Sequence, residues 1–231
     1  MNAFDSSIQT YLLHIAPSSS VFAHAVGVIA EFYVFKGVLP LAIVWAIWFQ
    51  PGSSLEYRRE TVVAILASAL VAFIVGRLLA LALPFRLRPI FDPSLGLTFP
   101  GADHAGSHLR LWSSFPSDHA ALWMSLAVGI FIVWRWIGVL AIVQCVLFIC
   151  APRVYLGLHY PTDVIAGAMI GALVVVLMTR APIRTRFAPH VVRFMNRRPG
   201  IAYMLAFVLF FELATMFDEP RSLIISLYKA M

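Results

Sequence analysis

Apolar residues in this chain come in long runs rather than in alternation. The runs cover about 21–49, 61–83, 118–135, 137–150, 162–178 and 201–217. Most approach the roughly 20 apolar residues that an α-helix needs to cross a bilayer. The pattern predicts an all-α integral membrane bundle of about six transmembrane helices. Pro84 closes the second run, because proline cannot continue a helix. Ahead of the first run, Phe4, Ile8, Leu12 and Ile15 recur at helical spacing. This predicts a short amphipathic helix at the membrane interface. No repeat or low-complexity segment divides the chain, so residues 1–231 read as a single domain.

Composition sharpens the membrane reading. Charged residues make up 12% and mean hydropathy is +0.87, against roughly 25% charged in soluble domains. A soluble protein of this length could not cover its surface with so few charges. The net charge of +6 sits in the segments between apolar runs, which argues for membrane topology rather than nucleic acid as a partner. If the runs alternate in direction, the first, third and fifth connections share a side. They carry nine Lys and Arg, including Arg58, Arg59 and the 180–198 cluster, against six on the other side. The nine-residue side is expected to be cytoplasmic, and the 180–198 cluster is expected to meet anionic lipid. The expected localisation is the inner (cytoplasmic) membrane, multi-pass. The first twenty residues hold no Lys or Arg, so no secretory signal is expected. Cys145 and Cys150 are the only cysteines and read as apolar fillers. Glu31 and Lys36 fall inside the first run, where each either snorkels, pairs or serves a function.

The chemistry lies in three polar stretches on the less basic side. They are "PFRLRP" at 84–89, "FPSDHA" at 115–120 and "PRVYLGLHYPTD" at 152–163. Each abuts the end of an apolar run. The guanidiniums of Arg86, Arg88 and Arg153 offer planar forks for phosphate oxygens. Ser117 and Asp118 stand at a helix start, where free N–H groups favour an anion. His159 and Asp163 are four apart, so the carboxylate can reach one imidazole nitrogen and leave the other as nucleophile. His119 is then available as a general acid. The set describes phosphoryl transfer through a phosphohistidine. Asp103, His104, His108 and Arg110 have no partner legible in the sequence and read as loop residues.

These stretches resemble the signature of the type 2 phosphatidic acid phosphatase (PAP2) superfamily, which is K-x6-R-P, then P-S-G-H, then S-R-x5-H-x3-D. The resemblance covers about residues 77–180 and implies a membrane lipid phosphatase. It implies His159 as nucleophile, Asp163 as its partner and His119 as acid, with Arg88, Ser117 and Arg153 on the phosphate. It implies no cofactor and no metal. The substrate it implies is a lipid phosphate or pyrophosphate in the bilayer. Undecaprenyl pyrophosphate is favoured over phosphatidic acid, phosphatidylglycerol phosphate or lipid A. A non-enzymatic lipid-phosphate binder would be expected to lack one of the histidines. The chain departs from the signature at three positions. Leu81 stands where the family has lysine, with Arg77 and Arg86 as candidate substitutes and Arg86 favoured. Asp118 stands for glycine and is expected among the phosphate-binding residues. Pro152 stands for serine. Oligomeric state is not legible.

Overall fold

The computed structural model describes residues 2–15, 19–52, 54–100 and 107–218. Asp103 and His104 lie outside the described residues, as does the side chain of His108. The described residues form helices and turns with no strand, so the protein is an all-α membrane bundle. Its helices are α1 (Ala3–Ile15), α2 (Ser20–Glu31), α3 (Leu39–Phe49), α4 (Leu55–Ala82), α5 (Asp118–Val133), α6 (Arg135–Gln144), α7 (Ala151–Tyr155), α8 (Pro161–Met178), α9 (Ala181–Arg197) and α10 (Pro199–Thr215).

Among the described residues, three segments are long and apolar enough to cross a membrane: Leu55–Ala82, Arg135–Tyr155 and Pro161–Met178. The first apolar run differs from the expected straight span. It is a broken pair, Ser20–Glu31 and Val34–Phe49, bent by 56°. Phe32 is extended at the break, and a π turn, Val34–Val38, follows it. Pro40 supplies a reason for the π turn. It has no N–H for the carbonyl four residues back, so the ladder re-registers just before it. The same pairing recurs in the fourth span, where the π turn Cys145–Cys150 precedes Pro152. That span also continues past the expected end at Cys150 to Tyr155, which places Arg153 on a helix rather than in a loop.

The remaining apolar helices, α5 and α10, have 16 and 17 residues. At 1.5 Å per residue they are about 24–26 Å long, short of the roughly 30 Å hydrocarbon core. The shortness of α5 has a visible cause. Its N-terminus starts inside the bundle, with Ser114, Ser117 and Asp118 all buried.

Helix α5 is the central post. Leu122, Trp123, Leu126 and Ile130 on it are fully buried. Its main partners are α4 and α8. Lipid tails are as apolar as leucine, so close packing rather than water exclusion holds such helices together. Gly167 and Gly171, one turn apart on α8, make this possible. A Cβ at either would collide with a backbone carbonyl of α5, at Ser117 or Ala121 respectively.

The N-terminal helix forms as expected and docks through polar side chains. Phe4 is 50% and Tyr11 64% exposed, while Asp5 and Gln9 are buried at 0% and 1%. Asp5 and Gln9 thus meet the protein directly, while Leu12 is half-buried against the core.

Candidate active site

Backbone hydrogen bonds stitch the three polar stretches together. The Ile90 N–H donates to the Gly157 carbonyl (2.9 Å), joining the first stretch to the third. The Ser114 N–H donates to the Arg86 carbonyl (2.8 Å), and the Ser117 N–H to the Asp163 carbonyl (3.0 Å). Between α7 and α8 the chain reverses over the Arg153 carbonyl, which accepts from the N–H groups of Leu158 (2.9 Å) and His159 (3.2 Å). Gly157 sits in this reversal at φ +69°, and a Cβ there would lie 2.6 Å from the Phe99 ring. Glycine meets both demands at once.

His159 is 3% exposed. Its Nδ1 lies 2.8 Å from the Ser114 carbonyl and 3.7 Å from Asp163 Oδ2. Its Nε2 lies 3.2 Å from Arg88 Nη1. A carbonyl only accepts and a guanidinium only donates. The proton therefore belongs on Nδ1, and Nε2 carries the lone pair. Burial and the Arg88 guanidinium hold this imidazole below its ordinary pKa, against the opposing pull of Asp163. The expected carboxylate–imidazole pair is thus present at longer range, and the direct acceptor is the Ser114 carbonyl.

Asp163 is fully buried and shared. Its Oδ2 accepts from the Tyr160 N–H (2.8 Å), closing a capping box on α8. Its Oδ1 takes Arg86 Nη1 at 2.5 Å. The Arg86 guanidinium also holds Asp5 (2.6 Å) and lies over the Tyr160 ring. Arg86 is therefore committed to two carboxylates and stays out of the cavity at the histidines. The expectation that it replaces the family lysine on the phosphate is corrected on this ground.

Arg77, the other candidate, is the one at the cavity. It lines the cavity and pairs with Asp118 Oδ2 at 2.7 Å, stacked near Phe73 and Trp112. It lies one turn before Leu81 on α4, so i, i+4 spacing put it within reach of the sequence reading. Asp118 is placed otherwise than expected of a phosphate ligand. Its Oδ1 accepts from the His119 N–H (2.8 Å) and sits 2.9 Å from His119 Nδ1. Its negative charge is spent on Arg77 and His119. Ser117 is the N-cap of α5, its Oγ accepting from the Ala120 N–H at 3.4 Å. It is buried beside the cavity rather than lining it.

The cavity holds about 80 Å³ and is lined by Arg77, Arg88, Leu109, Trp112, Asp118, His119, Arg153, Leu158 and His159. That is several times the roughly 10–15 Å³ of such volume that one water needs. Arg88 donates to the Leu158 carbonyl at 2.7 Å. Arg153 is 6% exposed, and its Nε has no hydrogen-bond partner among the described residues. Arg110 stacks on Phe91 away from the cavity. Among the described residues no group of three or more His, Cys, Asp or Glu side chains is placed to hold a metal ion.

An all-α membrane bundle that gathers two histidines and three arginines around one small cavity defines a class of anion site. The family description that fits it is "PAP2 superfamily", which matches residues 61–186. The chain belongs to this superfamily. It is similar to the bacitracin transport permease protein BcrC of Bacillus licheniformis, at 29% identity over 145 residues covering 63% of this chain and 64% of that protein. It is similar to the putative undecaprenyl-diphosphatase YbjG of Escherichia coli (strain K12), at 29% identity over 164 residues, 70% of this chain and 75% of the relative. A shorter likeness, 40% over 60 residues, joins it to an undecaprenyl-diphosphatase of Sulfolobus acidocaldarius, covering 26% of this chain and 29% of that protein. The chain thus spans just under two thirds of the first of these relatives. No solved structure matches it.

Proposed function

We propose that the chain, acting as one domain, is a metal-independent lipid phosphatase that works through a phosphohistidine, with a polyprenyl pyrophosphate, undecaprenyl pyrophosphate above all, as its preferred substrate. The observation that carries this reading is the pairing of a fixed nucleophile with a cationic pocket. His159 has its Nδ1 proton committed to the Ser114 carbonyl, while Nε2 faces the arginines of the cavity.

The chemistry follows from these positions. The phosphoryl oxygens lie among Arg88, Arg153 and Arg77, whose charges offset the negative charge of the transferring group. The His159 Nε2 lone pair attacks phosphorus as the bond to the leaving oxygen breaks. The ring becomes cationic, and the Ser114 carbonyl and Asp163 stabilise it. His119, held through Nδ1 by Asp118, gives its proton to the leaving oxygen. Water then attacks the phosphohistidine. His119 takes the water's proton, the P–N bond breaks, and inorganic phosphate leaves with His159 restored.

Two observations favour a pyrophosphate. Two of the relatives are named as undecaprenyl-diphosphatases. Among the described residues the cavity carries three arginines against one aspartate, an excess suited to a substrate of higher charge. The asymmetry of nine basic residues against six supports a cavity on the extracytoplasmic side of the inner membrane.

The test is phosphate release by detergent-purified protein from farnesyl pyrophosphate and from a short-chain phosphatidic acid, with and without EDTA. The expected result is EDTA-resistant release, faster from the pyrophosphate, and none from His159→Ala. Release that persists in His159→Ala would sink the mechanism. Faster turnover of phosphatidic acid would move the assignment to a glycerolipid phosphatase.

A further inference from the structure

We infer that Asp5, on the N-terminal helix, is a positioning residue for the phosphohistidine step, acting through Arg86 and Asp163. The inference rests on the phosphatase reading above and adds α1 to the machinery.

The contacts form a short relay of charges. Asp5 is 0% exposed. Its Oδ2 lies 2.6 Å from Arg86 Nη2, and its Oδ1 accepts from the Thr162 N–H at 2.9 Å, in the first turn of α8. The Thr162 hydroxyl donates to Asp5 Oδ2 (2.8 Å) and accepts from Arg86 Nη1 (2.9 Å). The other hydrogen bond of Arg86 Nη1 goes to Asp163 Oδ1. Asp163 Oδ2 then faces His159 Nδ1 at 3.7 Å. Gln9, one turn along α1, reaches the His159 carbonyl at 3.5 Å.

Burial makes this arrangement consequential. One guanidinium stands between two fully buried carboxylates, where charges are weakly screened. With Asp5 present, Arg86 divides its charge between two anions. Asp163 then keeps enough negative charge to stabilise the His159 ring when it turns cationic. Without Asp5, Arg86 would draw wholly on Asp163 and oppose that cation. The step affected is bond formation at Nε2, not binding, because Asp5 does not line the cavity. Loss of Asp5 should therefore lower kcat and leave KM unchanged.

The experiment measures kcat and KM for farnesyl pyrophosphate with the full chain in detergent. The proteins compared are wild type, Asp5→Asn, Thr162→Val, Arg86→Gln, the Asp5→Asn/Arg86→Gln double variant and His159→Ala. Asp5→Asn should lose on the order of 10-fold in kcat, the scale of one hydrogen bond to a charged group, with KM within about twofold. Thr162→Val keeps every charge and should lose about threefold in kcat. The double variant should be no slower than Arg86→Gln alone, because both changes act on one path. A wild-type kcat in Asp5→Asn would overturn the inference. So would losses that multiply in the double variant, since α1 would then act only by docking. If Asp5→Asn cannot be recovered folded, a wild-type kcat in Thr162→Val overturns it. An inactive wild type, or an active His159→Ala, would take down the phosphatase reading and this inference together. An active wild type, a dead His159→Ala and an unaffected Asp5→Asn would remove this inference alone.

Discussion

Replacing Arg153 by methionine should make the protein more stable and nearly inactive. Arg153 is buried, and among the described residues its Nε lacks a partner and it shares the cavity with Arg77 and Arg88 against one carboxylate, Asp118. The folded protein therefore holds like charges together away from water. Exchanging buried ionic groups for apolar ones of similar volume commonly stabilises by about 1–4 kcal/mol. Taking about 2 kcal/mol, and roughly 2–4 °C per kcal/mol for a chain of this size, the unfolding midpoint should rise by about 4–8 °C. The catalytic loss has the opposite sign. A guanidinium on phosphate makes charge-assisted hydrogen bonds of about 1.5–3 kcal/mol each, so a bidentate pair is worth about 3–6 kcal/mol. At 1.4 kcal/mol per decade this is roughly 10²–10⁴ in kcat/KM. The assay is thermal unfolding in detergent beside phosphate release, each with and without vanadate. Vanadate should raise the wild-type midpoint and leave that of the variant in place. A variant with a lower midpoint would show that Arg153 holds the fold. A variant that keeps its activity would show that it does not hold the phosphate.

Further expectations concern pH, the turn and topology. His159 titrates below its ordinary 6.5, so the acid limb of kcat/KM assigned to the nucleophile should fall below pH 6.5. Between that value and the lower folded one, the unfolded chain binds the extra proton, so stability should decline as pH falls through this window. His159→Gln should flatten that decline, and an unchanged slope would refute it. Gly157→Ala must place a Cβ at φ +69° against Phe99. It should cost about 1–3 kcal/mol in denaturant unfolding and also slow turnover, because the Gly157 carbonyl anchors Ile90 beside Arg88; an unchanged midpoint would contradict this. In a background lacking Cys145 and Cys150, Ser94→Cys should react with an impermeant thiol reagent in intact cells and Thr185→Cys should not; the reverse would invert the topology.

Much of the site was legible because the motif spacings are local. Arg153, His159 and Asp163 lie within eleven residues, and helical geometry converts such spacing into proximity. The helices were legible from apolar length. The breaks in them were not, since a π turn costs little composition. It shows only in a proline such as Pro40 or Pro152, which a hydropathy window averages away. Arg86 was misplaced because charge and nearness in sequence do not say which anion claims a guanidinium. Its partner Asp5 lies 81 positions away. Asp5 itself was hidden by a reasonable rule. Phe4, Ile8 and Leu12 make an apolar stripe, and burial of the polar stripe beside it follows only from what the site offers it.

The seam between α5 and α8 has a consequence for how such a protein tolerates change. His119 rides on the first turn of α5, and His159 immediately precedes α8. Gly167 and Gly171 let the two backbones touch, so the spacing between the two histidines is gauged by the absence of two side chains. One carbon added there would act as a shim, parting the histidines without altering any group that reacts. Drift in the sequence would thus be policed at apolar positions a turn or two from the chemistry. A survey of tolerated substitutions should find these glycines as intolerant as the arginines, for reasons of distance rather than charge.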